Sequence, residues 1–134
     1  MKFLVINDSS EIIDVLTLCF NLNWPEVELL SASEGGKGLE LVRQHAPELV
    51  ILDVNLPDTN GLEVLQCLRS FSDVPVVMLS VSDEQDVDIC HYLEAGAADY
   101  VVLPFSCMDL IERIQVILRR AHGRILATPR GATA

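Results

Sequence analysis

Five short apolar runs constrain this chain more than any other feature: Phe3-Leu4-Val5-Ile6, Val27 to Ala32, Leu49-Val50-Ile51-Leu52, Pro75 to Leu79 and Tyr100-Val101-Val102. Each is too short for a helix. The third is apolar throughout, as a central parallel strand covered on both faces must be. Between the runs lie stretches with apolar residues at helical spacing. Ser9 or Ser10 can cap the first, which carries Ile12, Ile13, Val15, Leu16, Cys19 and Phe20. Ser33 starts a second, with Leu39 and Val42, stopped by Pro47. Leu62, Val64, Leu65 and Leu68 mark a third; Val87, Cys90 and Leu93 mark a fourth, with Gly96 at its C′ position. Ser106, with Asp109 three residues on, resembles a capping box, and Ile111, Ile114 and Leu118 carry a fifth helix to about Ala121. Strict strand–helix alternation requires right-handed crossovers, so the expected fold is α/β, a (βα)5 doubly wound parallel five-stranded sheet with helices on both faces.

The 134 residues suit one domain. We assign it to residues 1–121 and read 122–134, with Gly123, Pro129 and Gly131, as a linker stub or disordered tail. No DNA-binding segment follows Ala121, so an effector domain is expected to be absent from this chain or to lie outside it. Four arginines and no acid fall in 119–134; residues 1–118 set five cations against all 20 acids, a formal −15. Such a body repels phosphate backbones and anionic lipids, which argues against direct nucleic-acid or membrane binding. No apolar run approaches the roughly 18–20 residues of a membrane span, and the N-terminus turns acidic at Asp8, unlike a signal peptide. The expected location is cytoplasmic. Cys19, Cys67, Cys90 and Cys107 form no C-x-x-C and read as buried small hydrophobes in a reducing compartment.

In such a sheet, ligands bind beyond the carboxyl ends of the strands. Those ends offer Asn7 and Asp8, Asp53, Ser80, and Leu103 with Pro104. Two carboxylates facing one another raise each other's pKa unless a cation lies between them. Magnesium favours one or two carboxylates plus carbonyl and water oxygens, so Asp8, Asp53 and the Asn55 carbonyl form a candidate set. A merely solvated acidic pair is the alternative.

Leu49 to Pro57 with Asn60-Gly61, Pro75 to Ser80, and Leu93 to Tyr100 running into Pro104-Phe105 together resemble a response-regulator receiver domain of two-component signalling. The wording is nearest to receivers that precede winged-helix DNA-binding domains. The resemblance covers about residues 2–121. It implies a flavodoxin-like sheet with strand order 2-1-3-4-5. Asp53 would be the phosphoacceptor for a sensor histidine kinase, with Mg²⁺ held by Asp8, Asp53 and the Asn55 carbonyl. Ser80 would contact the phosphoryl group, Tyr100 would be the aromatic switch, and the Leu103–Pro104 bond would be cis. The chain would be a regulatory phosphoprotein of a phosphorelay, governing transcription, and no enzyme beyond self-phosphorylation from small donors and autodephosphorylation.

Three positions depart from the family's pattern: Asn7 where an acid is usual, Leu103 where lysine is usual, and Val81 where Ala or Gly is usual. The first two compensate in charge, since losing a cation alone would strand a buried negative charge. We therefore expect weak Mg²⁺ binding and slow or poorly coupled phosphorylation. A phosphorylation-independent pseudo-receiver, acting as a protein-interaction module, is the alternative; a small flavodoxin-like enzyme ranks third. Asp99 and Arg113 match positions that pair across a dimer of the fourth helix, fifth strand and fifth helix. Ala98, replacing a common acid, and Ile89, opposite Asp109, thin that charged lattice, so any homodimer is expected to be weak. Glu34-Gly35-Gly36-Lys37-Gly38 lacks the spacing of a phosphate loop and reads as a surface helix start; His45, His91 and His122 have no ligand spacing. Trp24 reads as a loop-packing residue.

Overall fold

In the computed structural model, which describes residues 1–80 and 86–130 (side chains for 1–80 and 89–121), strands and helices alternate through the chain. They are β1 (Lys2–Ile6), α1 (Ser10–Asn23), β2 (Glu28–Ala32), α2 (Gly35–His45), β3 (Leu49–Asp53), α3 (Gly61–Arg69), β4 (Val76–Ser80), α4 (Asp86–Glu94), β5 (Asp99–Val102) and α5 (Cys107–Arg130). The strands form one parallel sheet, ordered β2-β1-β3-β4-β5. The alternation predicts the parallel (βα)5 sheet and the receiver resemblance its flavodoxin-like strand order; the structure has both.

Alternate strand residues face opposite layers. Phe3, Val5, Leu49, Ile51, Val77, Leu79 and Val101 pack with Leu16, Phe20, Leu110 and Ile114 from α1 and α5. Leu4, Ile6, Val50, Leu52, Val76 and Met78 pack with Val42, Leu65, Leu68 and Tyr92 from α2, α3 and α4. The unbroken apolarity of β3 follows, since all five of its residues are buried between these layers. Trp24 joins the first layer, edge-on to Phe3 and Phe20.

Local chemistry sets the helix ends. Ser9 accepts from the Ile12 N–H at 3.4 Å and Asn60 from the Glu63 N–H at 2.9 Å, each capping its helix. Ser106 likewise accepts from the Asp109 N–H, while the Asp109 carboxylate turns to Arg113 instead of closing a reciprocal box. The α2 start has no cap of its own. Asp58, in the β3–α3 loop, accepts from the Gly35 and Gly36 N–H groups at 2.9 and 3.0 Å, and these bonds hold its carboxyl below the ordinary carboxylate range. Glu34, Gly36 and Lys37 are exposed, as expected of a surface helix start, while Gly35 and Gly38 are buried: a Cβ on Gly38 would meet Ile6.

Two further expectations change. The α5 backbone stays helical to Arg130, past Ala121; Gly123 costs such a helix only about 1 kcal/mol, and Pro129, the costlier residue, falls one residue from its end. The cysteines are not uniformly buried either. Cys67 and Cys90 are exposed, and Cys19 and Cys107 form a disulfide between α1 and the first residue of α5. Their sequence separation of 88 residues hid a proximity that only helix packing creates.

Gly61 sits where no side chain fits. A Cβ there would lie 2.6 Å from the Asp53 carbonyl oxygen and 2.9 Å from the Val54 Cα, both backbone atoms. Gly61→Ala is therefore expected to destabilise the protein by about 1–3 kcal/mol. Gly36→Ala, whose Cβ would meet only the Asp58 carboxylate at 3.6 Å, should be nearly neutral. Urea unfolding of both variants checks this; equal midpoints would refute the close-approach argument.

Candidate functional site

The site is assembled at the carboxyl edge of the sheet by strand register. Ile6 lies opposite Leu52 and Asp53 opposite Leu79, which brings the residues after β1, the end of β3 and the end of β4 to one edge. Ser80 pairs with Val102, adding the β5–α5 turn. Asp53 is 8% exposed; its Oδ1 accepts the Asn55 N–H at 3.1 Å. Burial raises the Asp53 carboxyl above its ordinary value, and the Asp8 charge adds to that rise; the N–H groups of Asn55 and Val54 oppose it. Asp8 is exposed, at the mouth of the cleft. Register brings the two carboxylates to this edge, since Asp8 follows Ile6 by two residues, Asp53 follows Leu52 by one, and Ile6 and Leu52 are paired.

Asn7 is 1% exposed, and its side-chain oxygen accepts the Ser9 N–H at 2.8 Å. It thus turns the chain into α1 instead of offering charge to the cleft. Ser80 is 3% exposed at the end of β4, and its carbonyl accepts the Leu103 N–H at 2.7 Å. Leu103, followed by a cis bond to Pro104, is half-buried and packs against the α1–α5 layer. With Glu11, Ile12, Val15 and Phe105 it lines a shallow depression of about 200 Å³. Tyr100 lies against the other layer, its ring 5.5 Å from that of Tyr92. Val81 lies outside the described residues. Asp99 and Arg113 meet within the chain: the guanidinium donates to both Asp99 oxygens at 3.0 Å and to Asp109 at 3.0 Å.

The sequence matches the response regulator receiver domain over residues 3–115. The chain belongs to this family. Its backbone is similar to the receiver domain of the Francisella response regulator 1452, at 27% identity and TM-score 0.80, covering 90% of this chain and 98% of that one. It is also similar to the BeF3-activated receiver of Klebsiella pneumoniae RstA, at 26% identity and TM-score 0.80, covering 89% and 99%. A CheY-like receiver from Methanospirillum hungatei shares 25% identity and a TM-score of 0.81, covering 92% and 97%. Receivers serve two-component signal transduction as regulatory domains, generally partner a histidine kinase and typically bind Mg²⁺. Among the described residues of this receiver, no helix is long and apolar enough to cross a membrane.

The donor set suits a hard cation. Among the described residues no group of three or more His, Cys, Asp or Glu side chains gathers as a metal site. A receiver-type magnesium site needs only two carboxylates here, because carbonyl and water oxygens supply the rest. A buried carboxylate whose ionisation is opposed by burial and by a second carboxylate is the environment a divalent cation relieves. Sequence reasoning missed the Asp58 clamp on α2, because the two ends of that interaction are 23 residues apart and neither forms a motif.

The raised Asp53 carboxyl yields a stability test. A group whose folded pKa exceeds its unfolded value holds its proton more tightly when folded, so its ionisation opposes folding. This penalty grows as pH rises from the ordinary 3.8 through the folded value and is constant above it. In EDTA at neutral pH, Asp53→Asn should therefore melt a few degrees higher than wild type, with the gain shrinking as pH falls toward 3.8. A variant that melts at or below the wild-type temperature at neutral pH would contradict the assigned burial penalty.

Proposed function

We propose that this receiver accepts a phosphoryl group on Asp53 from a sensor histidine kinase and passes the signal, in the cytoplasm, to a transcriptional output. The observation that carries the reading is the buried Asp53 carboxylate at the end of β3, lying within the field of Asp8. In the proposed step an Asp53 oxygen attacks phosphorus. The P–N bond of phosphohistidine breaks, its electron pair returns to the imidazole ring, and an acyl phosphate forms on Asp53. Asp8, Asp53 and the Asn55 carbonyl would hold Mg²⁺. When bound, that ion neutralises charge on the phosphoryl oxygens. The backbone N–H of Asn55 orients the attacking carboxylate. The Ser80 hydroxyl would bond a phosphoryl oxygen, and Tyr100 would follow it inward from its contact with Tyr92.

The switch is proposed to be atypical. Asn7 lends its oxygen to the α1 turn and brings no charge, and Leu103 offers hydrocarbon where the family usually has an ammonium. Both changes together leave the cleft with the net charge of a usual receiver, yet they weaken the hold on the cation and remove the ionic link to β5. The packing of Leu103 against the α1–α5 layer, with Ile12 and Phe105 around the same depression, also favours a second reading, a pseudo-receiver driven by partner binding alone. The 1–121 receiver boundary and a weak homodimer through α4, β5 and α5 remain part of the proposal. The internal Arg113–Asp99 pair is exposed and is worth little to such a dimer.

Acetyl phosphate with Mg²⁺, followed by intact mass, tests the assignment. The expected result is slow, incomplete gain of about 80 Da that is absent in Asp53→Asn. Rapid, complete labelling of wild type would overturn the atypical switching, and no labelling from acetyl phosphate or a phosphohistidine donor would favour the pseudo-receiver. Asn7→Asp should tighten Mg²⁺ binding roughly tenfold, measured by titration of intrinsic fluorescence. An unchanged affinity would remove Asn7 as the cause of weak binding.

A further inference from the structure

We propose that Cys19 and Cys107 are a thiol–disulfide exchange site, through which a low-molecular-weight disulfide clamps α1 to the start of α5. The two residues are bonded, with Cα atoms 6.1 Å apart, in the ordinary range for a disulfide. Their surroundings differ. Cys19 is 3% exposed, packed beside Leu16 and Phe20 in the α1–α5 layer. Cys107 is exposed at the first turn of α5. An incoming reagent therefore reaches Cys107 first, and Cys19 is the resolving partner. Cys67 and Cys90 are exposed and unbonded, so oxidation selects the pair by proximity and not by exposure.

The exchange balances without any further reagent. The Cys107 thiolate attacks one sulfur of oxidised glutathione, or a disulfide of that class, and releases one glutathione thiolate. The Cys19 thiolate then attacks the Cys107 sulfur and expels the second. Two protein thiols are oxidised, one external disulfide is reduced to two thiols, and the two protons pass from the protein sulfurs to the released ones. Excess thiol drives the same steps backwards.

The bond lies where it acts on the site edge. The segment from Leu103 to Cys107 is anchored at one end by the Leu103 N–H on the Ser80 carbonyl and at the other by the Cys19–Cys107 bond. Oxidation thus pins the turn that carries Leu103 and fixes where α5 begins. Reduction leaves the start of α5 tied to α1 by side-chain packing and the 3.8 Å approach of the Cys19 sulfur to the Cys107 carbonyl. This device needs no phosphoryl transfer and stands apart from the acceptor role of Asp53. Its use as a reversible switch, in place of a permanent staple, suits the cytoplasmic placement proposed above.

The test equilibrates the whole folded chain with glutathione mixtures, then traps thiols with a maleimide and maps disulfide peptides by mass. In oxidised glutathione, wild type should yield a Cys19–Cys107 linked peptide carrying no glutathione, about 2 Da lighter than the two reduced peptides, while exposed Cys67 and Cys90 stop at glutathione adducts that reduced glutathione removes. Excess reduced glutathione should restore four thiols, counted by trapping in denaturant because Cys19 is buried in the folded chain. The Cys67→Ser/Cys90→Ser variant should behave the same way, and Cys107→Ala should form no internal bond. The oxidised form should melt about 5–10 °C above the reduced one. Amide exchange should be slower at residues 103–107 when the bond is present. A stable glutathione adduct on Cys107 without ring closure, a bond to Cys67 or Cys90, or a bond that resists excess reduced glutathione in the folded protein would each overturn the proposal. Unchanged exchange at residues 103–107 would overturn the clamp. Loss of Asp53 phosphorylation would affect none of these readouts.

Discussion

Parallel pairing of β3 between β1 and β4 is the constraint on which the other features rest. It buries all five β3 residues, and its register sets Leu52 against Ile6 and Asp53 against Leu79. A slip of one residue would invert every side chain between the two layers. The alternation of Phe3 and Val5 with Leu4 and Ile6 forbids that, because each pair already belongs to a different core. The carboxylate of Asp53 is therefore carried to the edge of the sheet and held partly out of water, whatever its ionisation costs. The Asn55 and Val54 N–H groups return some of that cost, and the charge of Asp8 adds to it.

The loop after β3 shows how closely site and fold are joined. Gly61 lets the start of α3 approach the backbone of Asp53 and Val54, and its N–H bonds the Val54 carbonyl at 2.8 Å. Three residues earlier, Asp58 supplies the α2 start with the cap it lacks. One short segment thus positions the candidate acceptor, opens α3 and ties down α2. A change meant to alter the chemistry at Asp53 acts in a neighbourhood where backbone atoms are already in contact.

The two departures at the site have different physical characters. Asn7 keeps a structural task, since its oxygen bonds the Ser9 N–H and turns the chain into α1. An amide can do this while bringing no charge to the cleft. Leu103 packs its side chain against the α1–α5 layer at the site edge. The same layer contains Cys19 and its bond to Cys107. In this chain the β5–α5 turn therefore meets α1 through hydrocarbon and sulfur.

Periodicity alone made the strands, the helices and the parallel architecture legible, because burial between two layers writes apolar runs for strands and one apolar stripe for helices. Strand ends could then be picked out as the place for Asp8, Asp53 and Ser80, since topology fixes where ligands meet such a sheet. Helix caps at Ser9 and Ser106 were also readable, for a cap is a local interaction. What stayed hidden depends on distance between residues remote in sequence. The Cys19–Cys107 bond, the Asp58 clamp on α2 and the packing of half-buried Leu103 against the α1–α5 layer all arise where separate elements pack together. The length of α5 is the opposite case: Gly123, Pro129 and Gly131 together look like a tail, yet the penalty of Gly123 is too small to end the helix, and Pro129 stands one residue from its observed end. A one-dimensional pattern records each residue's own preference for burial and backbone shape. Which side chain meets which is decided by packing in three dimensions, and so only the tertiary structure could supply it.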